Sequence, residues 1–379
     1  MSSPTRFDTL AAHAGISPDP VNGAMAPALQ LATTFEHTPD AKTPLGYLYQ
    51  RYDNPNQQQL EQVLATLDGG ACSQFFATGM AAGTTVMQAL PAGSELLIAD
   101  DTYFGYRAIG EKWLSQWGVS HRVVDMSDLD AVRAAITPAT RLLWAETPSN
   151  PLLKICDIAG LADIAKAAGA RLLVDGTFAT PALQQPLALG ADIVLHSATK
   201  YLGGHGDVMG GVLTFAADDA FAAACNELRR FTGNTASPLS AWLVLRGLRT
   251  LPVRIERHCR NALEVAHFLE GHVRVDKVHY PGLASHPMHR VATAQMPQGY
   301  GGMLSFEVKG GASAALDVAG RLRLFVNATS LGSTESLVEH RASIEEPRVV
   351  SPEGLLRLSV GLEDVRDLID DLRQALDAG

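Results

Sequence analysis

Four short apolar runs in this chain end in polar residues that could do chemistry. RLLWAE runs into Thr147-Pro148-Ser149-Asn150-Pro151, and RLLV into Asp175-Gly176-Thr177. ADIVLH runs into Ser197-Ala198-Thr199-Lys200, and SELLIA into Asp100-Asp101-Thr102-Tyr103. In an open α/β sheet, ligands sit at the carboxyl ends of the strands. By residue type alone Lys200 would be an ordinary solvated lysine in a glycine-rich turn. Its setting, HSATKYLGGHGD directly after an apolar run, argues instead for a reactive amine.

An amine, a carboxylate, phosphate donors and an arginine are the groups that pyridoxal phosphate requires. A lysine forms the imine, and a carboxylate faces the pyridine nitrogen so that the ring can accept electrons from Cα. Neutral donors hold the phosphate, an aromatic ring covers the cofactor, and an arginine grips the substrate carboxylate. Asp175 is the candidate carboxylate, although a turn aspartate after a strand would look the same. Ser197, Thr199 and the backbone N–H groups of Gly79 and Met80 could hold the phosphate, since helix N-termini attract anions. Taken singly they also read as capping residues. Arg357 lies in the otherwise apolar LLRLSVGLED, so it needs a partner. That partner is either a substrate carboxylate held in a bidentate fork or an internal acid such as Glu363 or Asp364. His196, His205 and Asp207 lack metal-ligand spacing and read as structural, so no metal is expected. No Walker A sequence is present, which disfavours nucleotide hydrolysis.

The elements that must position these groups follow from periodicity. Residues 1–56 form an irregular arm rich in Pro, Gly, Asn and Gln. QQQLEQVLATLDGG has helical spacing and a glycine stop, and Gly79 opens a further helix. SELLIAD, VSHRVVD, RLLWAET, RLLVDGTF and ADIVLHS then alternate with amphipathic segments, which implies βαβ units and a mostly parallel sheet with helices on both faces. After about residue 215 come long helices, 217–230 and 238–270, then VRVDKVHY, GMLSFEV, LLRLSVGL and a last helix. The expected division is the arm 1–56, a cofactor-binding domain 57–240 and a smaller α+β domain 241–379.

Bulk composition narrows the class. With 46% hydrophobic and 18% charged residues, the chain is globular rather than disordered or membrane-spanning. A net charge of −10 without basic clusters argues against nucleic-acid binding. Cys72, Cys156, Cys225 and Cys259 form no CxxC pair and read as reduced thiols. No secretory h-region or membrane-length apolar stretch stands out, so the expected location is the cytoplasm.

Ordered blocks along nearly the whole chain resemble the Cys/Met-metabolism family of pyridoxal-phosphate enzymes. They include HAGISPDPVNGAMAPALQLATTF, YQRYDNPN, ATGMAAG, AETPSNP, VDGTFATP, HSATKYLGGHGDVMGG, YPGLASHPMHRVA and TSLGSTESL. The family comprises cystathionine γ-synthase, the cystathionine lyases, methionine γ-lyase and homoserine sulfhydrylases. The resemblance implies an α/β, fold-type-I (aspartate-aminotransferase-like) architecture. It implies that Lys200 carries the cofactor and shuttles protons, that Asp175 pairs with the pyridine nitrogen and that Tyr103 stacks on the ring. Gly79, Met80, Ser197 and Thr199 would hold the phosphate. Tyr49 and Arg51 would reach the phosphate of a neighbouring subunit, giving a homo-oligomer with shared sites, usually a tetramer. Asn150, Ser330 and Arg357 would position the substrate carboxylate and Lys200.

The reaction this implies is elimination of the γ (or β) substituent of a sulfur-containing or related amino acid, giving an oxo acid and ammonia. The alternative is γ-replacement by a transferase, and a remote one is a non-catalytic homologue. Several positions depart from the family pattern. Gly105 stands where methionine γ-lyases have cysteine, and Gly176 where Asn is common. Leu48 and Thr329 occupy positions that are acidic in members handling cystathionine. The segment VEHRASIEEPRVVSPEG replaces an extended loop containing Thr-His, and its Arg341, Glu345 and Glu346 are expected to be solvated.

Overall fold

A computed structural model describes residues 5–345 and 351–378. The larger sheet has seven strands: β1 (Cys72–Phe76), β2 (Glu95–Ala99), β3 (Ser120–Val124), β4 (Thr140–Glu146), β5 (Arg171–Asp175), β6 (Ile193–Ser197) and β7 (Gly211–Phe215). Their spatial order is β1-β7-β6-β5-β4-β2-β3. Every pairing from β6 to β3 is parallel, and β7 runs antiparallel to both its neighbours. The architecture is thus mostly parallel, as expected, while β1 and β7 are additions to the strands read from sequence.

Alternation along the strands explains their continuous apolar runs. Leu96, Ile98, Leu142, Trp144, Leu173 and Leu195 enter one core. Leu97, Ala99, Leu143, Ala145, Leu172 and Val174 enter another on the opposite face. Because successive side chains point to opposite faces, both faces must be apolar, and helices cover each. The helix Gly79–Ala89 contributes Ala82, Val86 and Met87 to the first core, and the helix Ile158–Ala167 contributes Ile158, Leu161 and Ile164 to the second.

The expected helix over 238–270 is two helices, Pro238–Leu248 and Leu251–Glu270, with Pro252 in the first turn of the second. Proline has no N–H to donate and its ring clashes with the preceding turn, so a helix starts there rather than continuing through. Within the irregular arm, Phe7–Ala12 is a short helix.

The second sheet comprises β8 (Val275–His279), β9 (Met303–Val308), β10 (Val326–Asn327), β11 (Leu337–His340) and β12 (Leu355–Ser359), in the order β10-β11-β12-β9-β8. It backs onto the helices Leu251–Glu270, Gly311–Arg321 and Val365–Asp377 through a core of Val265, Leu269, Phe306, Val318, Leu358 and Leu372. β12 is central, flanked antiparallel by β9 and β11, which fixes Arg357 firmly.

Candidate active site

The carboxyl end of β5 carries Asp175, and Lys200 follows the end of β6. These strands are parallel neighbours, so both groups emerge at one edge of the sheet. Lys200 Nζ donates to Ser330 Oγ at 2.7 Å. Ser330 has φ of 105°, the left-handed region that non-glycine residues rarely adopt. Such local strain concentrates at functional positions. Burial, and secondarily the Arg357 guanidinium, lowers the Lys200 pKa to about 8. A minority, roughly one in ten at pH 7, is therefore the neutral amine that a base requires, far more than for an ordinary lysine.

Asp175 is buried, and its Oδ1 accepts from the Thr177 backbone N–H at 3.0 Å and the Thr177 hydroxyl at 2.6 Å. Its Oδ2 takes no hydrogen bond among the described residues, leaving an acceptor for a protonated ring nitrogen. Burial pushes the Asp175 carboxyl up, opposed by Thr177 and by His196. His196 Nε2 lies 2.9 Å from Asp68 Oδ1, and burial of His196 is outweighed by that carboxylate, which raises its pKa.

Glu146, a residue that the sequence reading passed over, stands beside Asp175 in register on β4. Burial and then the Asp175 charge push its carboxyl well above the usual range. Asp175 has three partners that favour its anion, and Glu146 has mainly the Tyr103 N–H, which Glu146 Oε2 accepts at 2.8 Å. Of the two acids, Glu146 is therefore the one pushed toward its neutral form, and Asp175 the one favoured as the anion. Glu146 also fixes the start of the helix Phe104–Lys112, and so places Tyr103. Burial raises the Tyr103 pKa, so its hydroxyl is protonated and can donate. The signal for Glu146 was an acid ending an apolar run, the same signal that marked Asp175.

The phosphate candidates divide. Gly79 and Met80 open an 11-residue helix, capped by the Thr78 side chain accepting from the Ala81 N–H, so the first N–H groups stay available. A Cβ on Gly79 would come 3.1 Å from both Ser197 Cβ and Ser197 Oγ, so the glycine keeps a cradle open. The Thr199 hydroxyl is engaged with Gly210, donating to its carbonyl at 3.3 Å and accepting from its N–H at 3.1 Å. Together the unpaired Asp175 oxygen, the cradle and the half-buried amine fit a phosphorylated pyridine aldehyde.

Arg357 is buried. It donates through Nη1 to Asn150 Oδ1 at 2.9 Å and through Nη2 to the Ser330 carbonyl at 3.2 Å. This brings together the three residues expected at the substrate carboxylate. Its ion pair is with Glu339 at 2.8 Å, not with Glu363 or Asp364, which corrects the internal partner suggested above. Glu363 instead accepts from Ser336, and Asp364 caps the last helix. Glu339 was unforeseen because β11 was not recognised as a strand opposite β12.

Arg341 and Glu345 are also corrected, since both are buried rather than solvated. Arg341 sits between Glu339 and Glu345. Burial lets this cluster form, because a buried charge is retained only with a partner. Glu346 lies outside the described residues. Tyr49 and Arg51 lie on the arm: Tyr49 is 43% exposed, and Arg51 bonds the Arg230 carbonyl at 2.9 Å and stacks on Tyr52. His205 bonds the Gly203 carbonyl. No group of three or more His, Cys, Asp or Glu among the described residues could hold a metal.

An open α/β sheet with an amine and a carboxylate at one strand edge, and a phosphate cradle beside them, defines a pyridoxal-phosphate enzyme of the large mixed-sheet class. The sequence profile of the Cys/Met metabolism PLP-dependent enzymes matches residues 8–377, and the chain belongs to that family. It is similar to the cystathionine gamma-synthase of Mycobacterium leprae, 46% identical over 98% of this chain and 97% of that protein. It is similar to the cystathionine gamma-lyase of Bacillus subtilis, 42% identical over 97% of this chain and 98% of that protein. The crystal structure of metB from Corynebacterium glutamicum superposes with a TM-score of 0.95 and 40% identity, covering 99% of this chain and 98% of that one.

Proposed function

We propose that this enzyme eliminates the γ (or β) substituent of a sulfur-containing or related amino acid, releasing an oxo acid and ammonia. The observation that carries the reading is a half-buried Lys200 amine with a pKa of about 8 at the same sheet edge as the buried Asp175. Bound pyridoxal phosphate supplies a sink for the electrons left on Cα. Asp175 would face the ring nitrogen and favour its protonated form, with Glu146 kept neutral beside it. The N–H groups of Gly79 and Met80 and the Ser197 hydroxyl would hold the phosphate, with Thr199 bracing Gly210. Tyr103 would cover the ring.

Arg357 and Asn150 would bind the substrate carboxylate. That grip aims Cα–H at Lys200, whose amine takes the proton while Ser330 Oγ holds it in line. Departure of a γ substituent needs a second proton removed from Cβ and one delivered to the leaving sulfur or oxygen. Lys200 Nζ and the Tyr103 hydroxyl are the carriers on this chain, with Tyr49 a third from a neighbouring copy. Val21, Met25, Leu31, Leu45 and Tyr49 on the arm are exposed, and an apolar set of this kind is suited to burial against a second copy. The working form is a homo-oligomer, a tetramer by analogy with the family, with the arm 1–56 completing a neighbour's site, a cofactor domain 57–240 and a smaller domain 241–379. The proposed location is the cytoplasm; no described helix is long and apolar enough to cross a membrane.

Replacement of the substituent by a thiol is the second reading, favoured by the 46% identity to a protein named as a synthase. The two separate when S- and O-substituted homoserines are incubated with and without thiol. Oxo acid without thiol is expected. Thioether product that forms only with thiol, and no oxo acid without it, would replace elimination by transfer.

A further inference from the structure

Arg357 does not hold its counterion alone. Glu339 and Arg357 are cross-strand partners on β11 and β12, and Glu339 Oε2 lies 2.8 Å from Arg357 Nη2. The same oxygen accepts from Arg341 Nη1 at 2.6 Å. One carboxylate oxygen thus serves two guanidiniums, and all three side chains are buried. Arg341 is fixed in turn through its other terminal nitrogen, Nη2, to Glu345 Oε1 at 3.2 Å. Glu345 accepts from the Ser351 N–H at 3.2 Å and from its hydroxyl at 2.9 Å.

The charge arithmetic at Arg357 depends on this sharing. A lone Arg357–Glu339 pair would be electrically closed, and an arriving carboxylate would be repelled by Glu339 while competing for the same guanidinium. With Arg341 on the same oxygen, Glu339 is divided between two guanidiniums. Glu345 balances Arg341 through its other terminal nitrogen, so the four buried charges sum to zero, but the cation bonded to Glu339 and offsetting it next to Arg357 is Arg341. Charge interactions at a desolvated site are strong. Arg341 reaches the site electrostatically: against burial, which raises the Tyr103 pKa, its guanidinium is the foremost opposing charge. Burial would likewise raise Glu339, yet Arg357 and Arg341 hold its carboxyl below the usual range.

We propose that Arg341 is a positioning residue for substrate binding: by sharing Glu339 with Arg357, it keeps the Arg357 charge available to the α-carboxylate of the amino-acid substrate. This rests on the assignment of Arg357 to that carboxylate. The role differs from a purely structural one in a checkable way. A strut that merely holds Glu345 and Ser351 would affect stability whatever the charge at Glu339. A charge-sharing residue must be suppressible by neutralising Glu339.

The experiment is a charge series on the holoenzyme: R341M, E339Q, the double variant, and R357M as control. Readouts are KM and kcat, and the dissociation constant of an unreactive amino acid against that of its decarboxylated amine. R341M is expected to raise KM and the amino-acid dissociation constant about tenfold, as loss of a charge contact of roughly that worth requires. It should leave kcat and the affinity for the amine nearly unchanged. Adding E339Q should return the amino-acid affinity to within a few-fold of the parent. An R341M enzyme with unchanged KM, or a double variant as impaired as R341M, would overturn the proposal while R357M still raises KM. If R357M itself leaves KM and amino-acid affinity unchanged, the assignment of Arg357 fails first. Should R341M not fold, E339Q alone decides: tighter amino-acid binding supports the proposal, and unchanged or weaker binding overturns it.

Discussion

The proton affinity of Lys200 is the property of this site most open to perturbation. Its amine gives up a proton near pH 8 rather than at the ordinary 10.5, a difference of about 3 kcal/mol in proton binding. Burial is the larger cause and Arg357 the second, with Glu339 opposing both. Arg357→Met removes the second cause and leaves the first. Less than half of that difference, about 1 kcal/mol, should be recovered, which moves the midpoint up by somewhat under one pH unit. Glu339 stays anchored on Arg341 and pulls the same way, whereas Arg357→Lys keeps a charge and should shift the midpoint less. Amine-selective labelling of the apoenzyme across the alkaline range, followed by mass analysis of the Lys200 peptide, measures this directly because only the neutral amine reacts. The parent should be half-labelled near pH 8 and the Met variant at higher pH. The sign also reaches stability. The folded chain binds this proton more weakly than the unfolded one, so the group costs stability below pH 8, and the cost is relieved as pH rises toward 10.5. A midpoint that stays put or falls in Arg357→Met would refute the electrostatic account of the amine.

Three further outcomes follow from the same geometry. Gly79→Ala places a Cβ 3.1 Å from Ser197 Cβ and Oγ, so cofactor affinity should fall about tenfold while the apoenzyme melts no lower, since alanine suits a helix better; a pyridoxal-phosphate titration and a melt of the apoenzyme check both. If Glu146 carries the proton, Glu146→Gln keeps both charge and the acceptor for the Tyr103 N–H, and kcat should stay within about threefold. Glu146→Ala leaves that N–H unpaired, at about 1–3 kcal/mol, and should cost tenfold or more; equal losses in the two variants would contradict a neutral Glu146. Gly247→Ala drives a Cβ to 2.4 Å from the carbonyl oxygens of Leu202 and Gly203, backbone that cannot swing aside. Overpacking there should cost about 1–3 kcal/mol and lower the Tm by several degrees, read by calorimetry.

What could be read from the sequence, and what could not, divides along one physical line. Groups that follow a buried strand announce themselves, because an apolar run must end where the chain turns polar, and the turn lies where ligands bind. Lys200, Asp175 and the strand bearing Arg357 were legible for that reason, as were the parallel strands of the large sheet. Relations between strands distant in the chain were not. β7 looked like any short apolar segment, yet it runs antiparallel between β6 and β1, and nothing local in GVLTF encodes direction. Glu339 meets Arg357 only because β11 pairs with β12 in a register that places them opposite. Arg341 and Glu345 sit in a charged stretch that reads as solvated, since charges are mostly exposed; they are buried because each neutralises another. Burial of a charge is thus a property of the pair rather than of the residue. The same logic makes Glu146 the less visible half of the acid pair: its proton depends on Asp175 one strand away, and a single strand ending in an acid cannot say which of two carboxyls will be the anion.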